Sequence, residues 1–250
     1  MPTECKKDAL APDDRISSLD RFQWVACQFD ALTKCAKPSE LRRTLASLPK
    51  DLDETYKRVL RGIEELWQDD VHKVLEWLCF ALDYVNLDEI VDALAVDGSK
   101  FDPEERYPDP RDVLTRCSSL VLVTVGLDDR EVLRLTHLSV KEYLLSDRIR
   151  EGEASWCAID SDSANERIAQ ACLAYLLQFN TVDCPDDSTI RNHPLAHYAS
   201  RYWLKHFQHI GTQISIDLER LIKELFKKSD TQRVSCTAPG DTNTCTHSRV

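Results

Sequence analysis

Histidine and cysteine are the residues of this sequence that most often perform chemistry, and their spacing limits which chemistry they can perform. His193 and His197 are four residues apart, with His206 and His209 further along, a spacing that occurs in metal sites. No cysteine or carboxylate is placed to complete a set of four ligands, and Pro194 makes His193 a neighbour of a helix start. The sequence therefore predicts no metal site.

Ten cysteines are spread along the chain without any Cys-x-x-Cys pair, and several fall on apolar helical faces. They occupy positions 5, 27, 35, 79, 117, 157, 172, 184, 236 and 245. In a reducing compartment such residues usually act as small buried hydrophobes. We therefore expect neither a disulfide framework nor a zinc site, and the sequence has no Gly-x-Ser-x-Gly motif of a serine hydrolase.

Nucleotide hydrolysis requires a phosphate-binding loop, Gly-x-x-x-x-Gly-Lys-Ser/Thr, and none of the six glycines is followed by lysine. No apolar strand ending in paired acids, which would hold magnesium, precedes Phe22. We therefore expect the chain not to be an enzyme, to need no cofactor, and to have no small-molecule substrate.

Composition and charge limit the class of partner. The chain of 250 residues is 42% hydrophobic, which is enough to build a globular core. Its 43 acidic and 32 basic side chains give a net charge of −11, which repels nucleic acids and anionic lipid. No signal peptide is evident in the first thirty residues, and no apolar run approaches the roughly 18 to 20 residues of a membrane span. We therefore expect a cytoplasmic protein with no membrane and no nucleic-acid partner.

Apolar residues recur every three or four positions through most of the chain, which predicts a mainly α fold. The predicted helices cover about residues 19–35, 39–48, 56–67, 71–82, 87–94, 111–118, 140–146, 168–177, 195–207 and 216–227. Two of them begin with the pattern of a capping box, at Asn86 with Glu89 and at Ser139 with Glu142. A loop rich in proline and acidic residues is predicted for residues 97–110.

The region 69–150 differs from the rest because β-branched runs follow its third helix. Residues 120–125 and 131–136 are predicted to be strands joined by a turn at 126–130. Three helices followed by a small β-hairpin describe a winged helix. The predicted organisation is a flexible N-terminus (1–18), a helical segment (19–67), a winged-helix domain (69–150), a C-terminal helical segment (151–228) that opens with a polar linker (151–163), and a disordered tail (229–250).

A winged helix can bind DNA through its third helix, but the charge of this one is wrong for that role. The region 69–150 contains 18 acidic and ten basic residues, a net charge of −8. The predicted third helix offers only Arg111 and Arg116, and the tip of the wing is Asp128-Asp129. Such a surface cannot make the phosphate contacts on which DNA affinity depends.

Six segments occur in the same order as in one protein family: FQWVACQFDAL, SLPKDLDETYKRVL, VLEWLCFA, DVLTRCSSLV, LTHLSVKEYLLS and IAQACLAYLL. They resemble the region that follows the ATPase core of fungal NACHT and ankyrin-repeat proteins, which belong to the STAND class of NOD-like receptor type signalling NTPases. The resemblance covers about residues 19–207. It implies that residues 22–35 are the last helix of the NACHT core and that residues 39–67 are the helical linker.

The resemblance implies a non-catalytic regulatory module that packs on a NACHT ATPase core and holds its inactive, ADP-bound state. Because neither a P-loop nor ankyrin repeats are present in the sequence, we expect a truncated gene product, a degenerate paralogue or a partner that acts in trans. The alternative is a stand-alone helical scaffold that binds an unrelated protein. A winged-helix DNA regulator is a third interpretation, and its charge disfavours it.

His137 is the candidate nucleotide-sensing residue. In STAND relatives a histidine at a similar junction contacts the β-phosphate of ADP, although Leu138 stands here in place of their usual acidic residue. An imidazole can donate a hydrogen bond to phosphate, so the chemistry is sound. A sensor without its core should be unsupported, so His137→Ala should cost less than about 1 kcal/mol of stability, against roughly 1 to 3 for a packed, hydrogen-bonded residue.

Phe22, Val25 and Phe29 form the candidate interaction surface. They lie on the first predicted helix, whose partner in the family is the NACHT core. Unless other helices cover these side chains, the helix should be loosely held and prone to self-association.

Overall fold

The computed structural model describes residues 18–126, 130–181, 192–211 and 213–235. The described part is mainly α, as the periodicity predicts. The helices are α1 (Ser18–Thr33), α2 (Pro38–Ala46), α3 (Leu52–Arg61), α4 (Glu65–Phe80), α5 (Leu87–Leu94), α6 (Asp112–Thr115), α7 (Leu138–Leu145), α8 (Asp147–Arg150), α9 (Ser161–Leu177), α10 (Leu195–Gln208) and α11 (Ile216–Ser235). The strands are β1 (Val85–Asn86), β2 (Val96–Asp97), β3 (Lys100–Phe101), β4 (Val121–Val125) and β5 (Glu131–Leu135).

The described residues form two compact units. Unit 1 contains residues 18–91 and 107–164, and unit 2 contains residues 92–106 and 165–235. Unit 1 therefore joins the predicted helical segment to most of the predicted winged helix, while a short insertion within the winged helix is part of unit 2.

The winged helix of unit 1 follows the order α4, β1, α5, α6, β4, β5. The predicted hairpin is confirmed, because β4 and β5 pair antiparallel from Val121 opposite Leu135 to Val125 opposite Glu131. The sequence gives no sign of β1, which pairs with β5 and completes a sheet in the order β1-β5-β4. A strand of two residues is too short to produce a period of its own.

Helix starts in unit 1 follow local capping chemistry. The predicted capping box before α5 is confirmed: the Asn86 amide donates to the Glu89 carboxylate at 2.8 Å, and the Glu89 amide donates to the Asn86 side chain at 2.9 Å. At α3 the Asp51 carboxylate accepts from the Glu54 amide at 2.8 Å. The helices that start at these caps bury apolar side chains, Tyr56 in α3 and Ile90 in α5.

One prediction for the winged helix and one for the segment that follows it need correction. The predicted third helix, 111–118, shrinks to the single turn of α6, since the chain after Thr115 continues in non-helical turns. The predicted polar linker, 151–163, contains Ala154, Cys157 and Ile159, which are all fully buried. The Ile159 amide donates to the backbone oxygen of Leu144 at 3.0 Å, which fixes this segment to the end of α7.

The predicted loop 97–110 also contains regular structure. In unit 2, β2 and β3 form a hairpin with Val96 opposite Phe101. Gly98 has φ of 56°, a conformation that glycine adopts without strain and that a two-residue hairpin turn requires. The dipeptide Asp97-Gly98 is a known turn signal, and the strands it joins are too short to be recognised by alternation.

A buried ion pair lies beside this hairpin within unit 2. Asp92, whose side chain is 2% exposed, is 2.6 Å from the guanidinium of Arg106, measured from Oδ1 to Nη2. Its other oxygen accepts from the Tyr175 hydroxyl and, at 3.4 Å, from the Leu195 amide. Burial raises the pKa of Asp92, although the Tyr175 hydroxyl, Arg106 and the Leu195 amide act in the opposite direction. The desolvation of this carboxylate is thus only partly offset by its partners.

A second buried polar group in unit 2 is the imidazole of His206, which is fully inaccessible. Its Nε2 is 2.8 Å from the Tyr198 hydroxyl and its Nδ1 is 2.8 Å from Oδ1 of Asn165. Because the amide oxygen can only accept, Nδ1 carries the proton and Nε2 accepts from the tyrosine. Burial, together with the nearby His209, lowers the pKa of His206 to about 4.

The cysteines that the structure describes behave as predicted. Cys27, Cys79, Cys117, Cys157 and Cys172 are buried, and Cys35 is partly buried. Burial raises the pKa of both Cys79 and Cys117 to about 12, which keeps the thiols protonated and unreactive. The remaining four cysteines lie outside the described residues.

The ends of the chain were predicted to be disordered. Residues 1–17 and 236–250 lie outside the described ranges, whereas α11 continues through residue 235, beyond the predicted start of the tail. Within the described ranges, no helix combines the length and the hydropathy that a membrane span requires.

Candidate functional site

His137 is the residue at which the wing ends and α7 begins. It is the N-cap of α7, with extended backbone angles of φ −156° and ψ 154°, and its Nδ1 accepts from the Ser139 amide at 3.2 Å. The predicted capping box at Ser139 with Glu142 is therefore wrong, because the helix starts two residues earlier than the pattern indicates. A histidine can replace the usual serine or aspartate because an unprotonated Nδ1 also accepts a hydrogen bond from the first turn.

A chain of hydrogen bonds holds the imidazole in this position. The Ser139 hydroxyl lies 2.7 Å from Nδ1 of His137, and the Tyr56 hydroxyl lies 2.8 Å from the Ser139 oxygen. Since Nδ1 accepts, the serine donates to the imidazole and accepts from the tyrosine. In this tautomer the ring hydrogen resides on Nε2. The ring thus has a structural role through Nδ1.

The same junction borders an open groove of about 530 Å³. Its lining combines the exposed side chains of Tyr84 and Leu138 with the charged and titratable ones of Asp83, Arg134, His137 and Lys141. The Arg134 guanidinium lies 4.2 Å from the centre of the Tyr84 ring, and the Lys141 ammonium donates to the backbone oxygen of Cys79. Arg134 and Lys141 outnumber the single acid of the lining, Asp83, in a chain of net charge −11, and this local excess of positive charge favours an anionic ligand or partner at the groove.

Helix α1 contacts the junction through polar side chains. Nε2 of Gln23 donates to the Thr136 hydroxyl at 3.1 Å, one residue before His137. Further along, Nε2 of Gln28 donates to the Thr55 hydroxyl at 3.1 Å, and this pair is buried. The face of α1 that packs on the rest of unit 1 carries both glutamines together with the buried Cys27.

The apolar stripe of α1 points the other way. Val25 and Phe29 are exposed, Phe29 to 64%, although the periodicity predicts that this stripe is the one an amphipathic helix buries. Phe22 lies within α1, but its side chain is outside the described residues. The sequence pattern predicts the stripe but not its exposure, since periodicity identifies an apolar face without showing what covers it.

The two arginines near the predicted third helix of the winged helix both have partners within the chain. Arg111 pairs with Glu131 at 2.6 Å, and the guanidinium of Arg116 lies 4.8 Å from the centre of the Trp67 ring. The acidic tip at 128–129 lies outside the described residues.

The histidines in the metal-like spacing do not converge. His193 contacts the Phe179 ring at a centroid distance of 4.9 Å, and His206 is in its own buried network. In the described part of the chain, no three histidine, cysteine or carboxylate side chains form a group that could hold a metal ion.

Comparison with known proteins assigns the class of this domain. Residues 56–164 match the family model described as GPI inositol-deacylase, winged helix domain. The match begins in α3 and ends in α9, and it therefore includes the whole sheet and the His137 junction. The chain thus contains a winged-helix domain similar to that family.

One curated relative is similar over most of the chain. The protein is 38% identical over 196 residues to the azaphilone pigments biosynthesis cluster protein L of Monascus ruber. The similar region is 76% of this chain but only 41% of the relative, so the chain spans less than half the length of that protein. No solved structure matches the chain.

Substitution of His137 should separate its structural role from its chemical one. Loss of the N-cap in His137→Ala is expected to cost about 1 to 2 kcal/mol, more than the sequence predicts, because the imidazole is hydrogen-bonded within the chain. Asparagine is a good N-cap without an imidazole, so His137→Asn should retain nearly all of the stability. Urea unfolding of both variants measures the difference. Equal losses in the two variants would contradict the capping role.

Proposed function

We propose that this protein is a non-catalytic regulatory and interaction module that packs on a NACHT-type ATPase core and favours the core's inactive, ADP-bound state. The observation that carries the proposal is the exposed apolar stripe of α1, at Val25 and Phe29. Isolated exposed apolar residues are common, but two apolar side chains one turn apart on the outer face of a helix are suited to contact with a second protein.

The junction at His137 supports the same proposal. The groove beside His137, bordered by Arg134 and Lys141, suits the phosphates of a nucleotide held by another protein. The relative from a fungal biosynthetic cluster and the winged-helix family model agree with the motif order that resembles NACHT proteins. The proposed location is cytoplasmic, where a module of this kind would meet its ATPase core.

DNA and catalysis do not belong to the proposed function. The arginines beside α6 contact Glu131 and Trp67, so the presumed recognition surface offers little positive charge to a phosphate backbone. The alternative that remains is a stand-alone scaffold for an unrelated protein. The following experiment distinguishes this alternative from a module that binds a NACHT core.

The experiment mixes the purified full chain with a separately purified NACHT ATPase core from a fungal relative. We expect a complex in sedimentation velocity, and a several-fold slower release of a fluorescent ADP analogue from the core. Phe29→Asp should abolish the complex, because a charge then replaces the exposed ring at the contact. His137→Asn should retain the complex but restore fast ADP release.

The matched control is Leu41→Asp on α2, which introduces the same charge at a residue that is 38% exposed. This variant should bind the core like the parent chain. A complex that forms equally well with Phe29→Asp would place the contact with the core elsewhere on the chain. If the parent chain forms no complex with the core at tens of micromolar protein, the proposed role is excluded and the stand-alone scaffold is the interpretation that remains.

A further inference from the structure

Strand β4 is an unprotected edge of the winged-helix sheet. It lies at the end of the order β1-β5-β4, and its sequence, Val-Leu-Val-Thr-Val, contains neither a charge nor a proline. Val123 is 39% exposed and Val125 is 70% exposed. Native proteins usually protect such an edge with charged residues, proline, a bulge or a very short strand. β4 has none of the first three, and its five residues are an average strand length.

The hydrogen bonds of the hairpin show which backbone groups face outward. The Thr136 amide donates to the Leu120 oxygen at 2.9 Å, and the Gly126 amide donates to the Arg130 oxygen at 2.7 Å. In an antiparallel pair, bonded and non-bonded positions alternate, so the even-numbered residues of β4 bond to β5. The odd-numbered residues therefore direct their N–H and C=O groups away from β5.

Three odd-numbered residues form this outer edge. The Val121 amide is already used, because it donates to the Cys117 oxygen at 3.1 Å. Among the residues that the structure describes, Val123 and Val125 have no backbone partner on the outer side. The opposite edge of the sheet is different, since β1 has only two residues and leads directly into α5.

We propose that β4 pairs antiparallel with β4 of a second copy of this chain, about a two-fold axis at Val123. In this register each Val123 faces Val123 of the second copy, and each Val125 faces Val121. Leu122 and Thr124 face each other in the same way. The Val123 amides and carbonyls exchange hydrogen bonds, and each Val125 amide donates to the Val121 carbonyl across the axis.

A second copy fits this edge better than an unrelated extended peptide. The strand is nearly symmetric about its centre, so every cross-strand pair is apolar or combines leucine with threonine. It carries no charge that would select an acidic or basic peptide. At each end of the pairing Val121 is buried and its amide is bound to Cys117, so only its carbonyl is left to accept from Val125, and the Val123 pair at the axis carries most of the contact.

The test measures the association of the full-length chain by sedimentation equilibrium over a range of concentrations. The parent chain should form dimers, more readily at higher salt because screening reduces repulsion between copies of net charge −11. Val123→Lys and Val123→Glu should each weaken the dimer roughly tenfold or more, since identical charges meet at the axis. An equal mixture of the two variants should recover a heterodimer.

Val125→Pro supplies a second variant that preserves the fold. Proline removes an amide that points outward, so no bond of the hairpin is lost, and this variant should also weaken the dimer. Leu41→Lys and Phe29→Asp control for added charge and for contacts through α1, and both should dimerise like the parent chain. Thermal melts confirm that each variant is folded.

Three outcomes would overturn the proposal. The first is a parent chain that remains monomeric at every concentration. The second is a dimer that survives Val123→Lys but is lost in Phe29→Asp, which would place the contact on α1. The third is a mixture of the lysine and glutamate variants that associates no better than either variant alone, because residues at a two-fold axis must meet each other.

Discussion

Replacing Arg106 with methionine is expected to destabilise unit 2 by about 3 to 5 kcal/mol at neutral pH. The substitution leaves the Asp92 carboxylate, whose side chain is 2% exposed, without the guanidinium that lies 2.6 Å away. The Tyr175 hydroxyl and the Leu195 amide still donate to the carboxylate, but they carry no charge to balance it. Hydrogen exchange of the amides in α9 and α10, measured for parent and variant, reports the free energy of opening.

The dependence of this loss on pH is part of the prediction. Burial already raises the pKa of Asp92 above its unfolded value, and removal of Arg106 raises it further. A carboxyl group with a raised pKa lowers the stability of the folded chain most when it is ionised. The difference between variant and parent should therefore be greatest near neutral pH and should decrease as acid protonates Asp92.

A double variant controls for lost packing of the arginine. Asp92→Asn combined with Arg106→Met removes both charges, and the amide can still accept from Tyr175. Its stability at neutral pH should return to within about 1 kcal/mol of the parent chain. A double variant as unstable as Arg106→Met alone would show that the arginine acts through packing on Phe101, whose ring centre is 5.1 Å from its guanidinium carbon.

Acidification alone is expected to remove about 3 kcal/mol from the stability of unit 2 through His206. The pKa of this histidine is lowered to about 4 in the folded chain, against about 6.5 in an unfolded one. Between these values the unfolded state binds the additional proton. The stability that the neutral His206 contributes is therefore fully present above pH 6.5, and it is lost progressively as the pH falls through 4.

The substitution His206→Gln tests this assignment because glutamine does not titrate. The slope of stability against pH between 6.5 and 4 should become markedly smaller in the variant, even if its absolute stability is lower. His209→Gln is the matched control: it removes a neighbouring histidine that raises the cost of protonating His206, so most of the slope should remain. Identical slopes in the parent chain and His206→Gln would assign the acid sensitivity to other groups.

Both expected effects arise in unit 2, whereas the proposed contacts with other proteins belong to unit 1. The apolar stripe of α1, the His137 junction and the free edge of β4 are all built from residues 18–91 and 107–164. Substitutions in the buried networks of unit 2 should therefore affect its stability without altering the charges or side chains of these surfaces. This difference allows the tests of stability and of association to be interpreted separately.

Local patterns in the sequence determined much of the fold. The three-to-four periodicity predicted most helices, and alternation with a turn predicted the hairpin of β4 and β5. Asn86 followed by Glu89 predicted the cap of α5, because both partners of that cap lie within one turn. The distribution of cysteines predicted buried thiols. Each of these features depends on residues that are close together in the sequence, so the sequence alone is sufficient to predict it.

Other features were decided only by tertiary structure. The sequence places an apolar stripe on α1, but whether another helix covers Phe29 depends on packing with distant residues. The cap of α7 shifted to His137 because Tyr56, far away in sequence, engages the Ser139 hydroxyl. The pairs that join Asp92 to Arg106 and His206 to Asn165 are likewise invisible to periodicity. Their strength comes from burial, and burial is a property of the whole folded chain, since only the complete set of neighbours excludes water from a polar group.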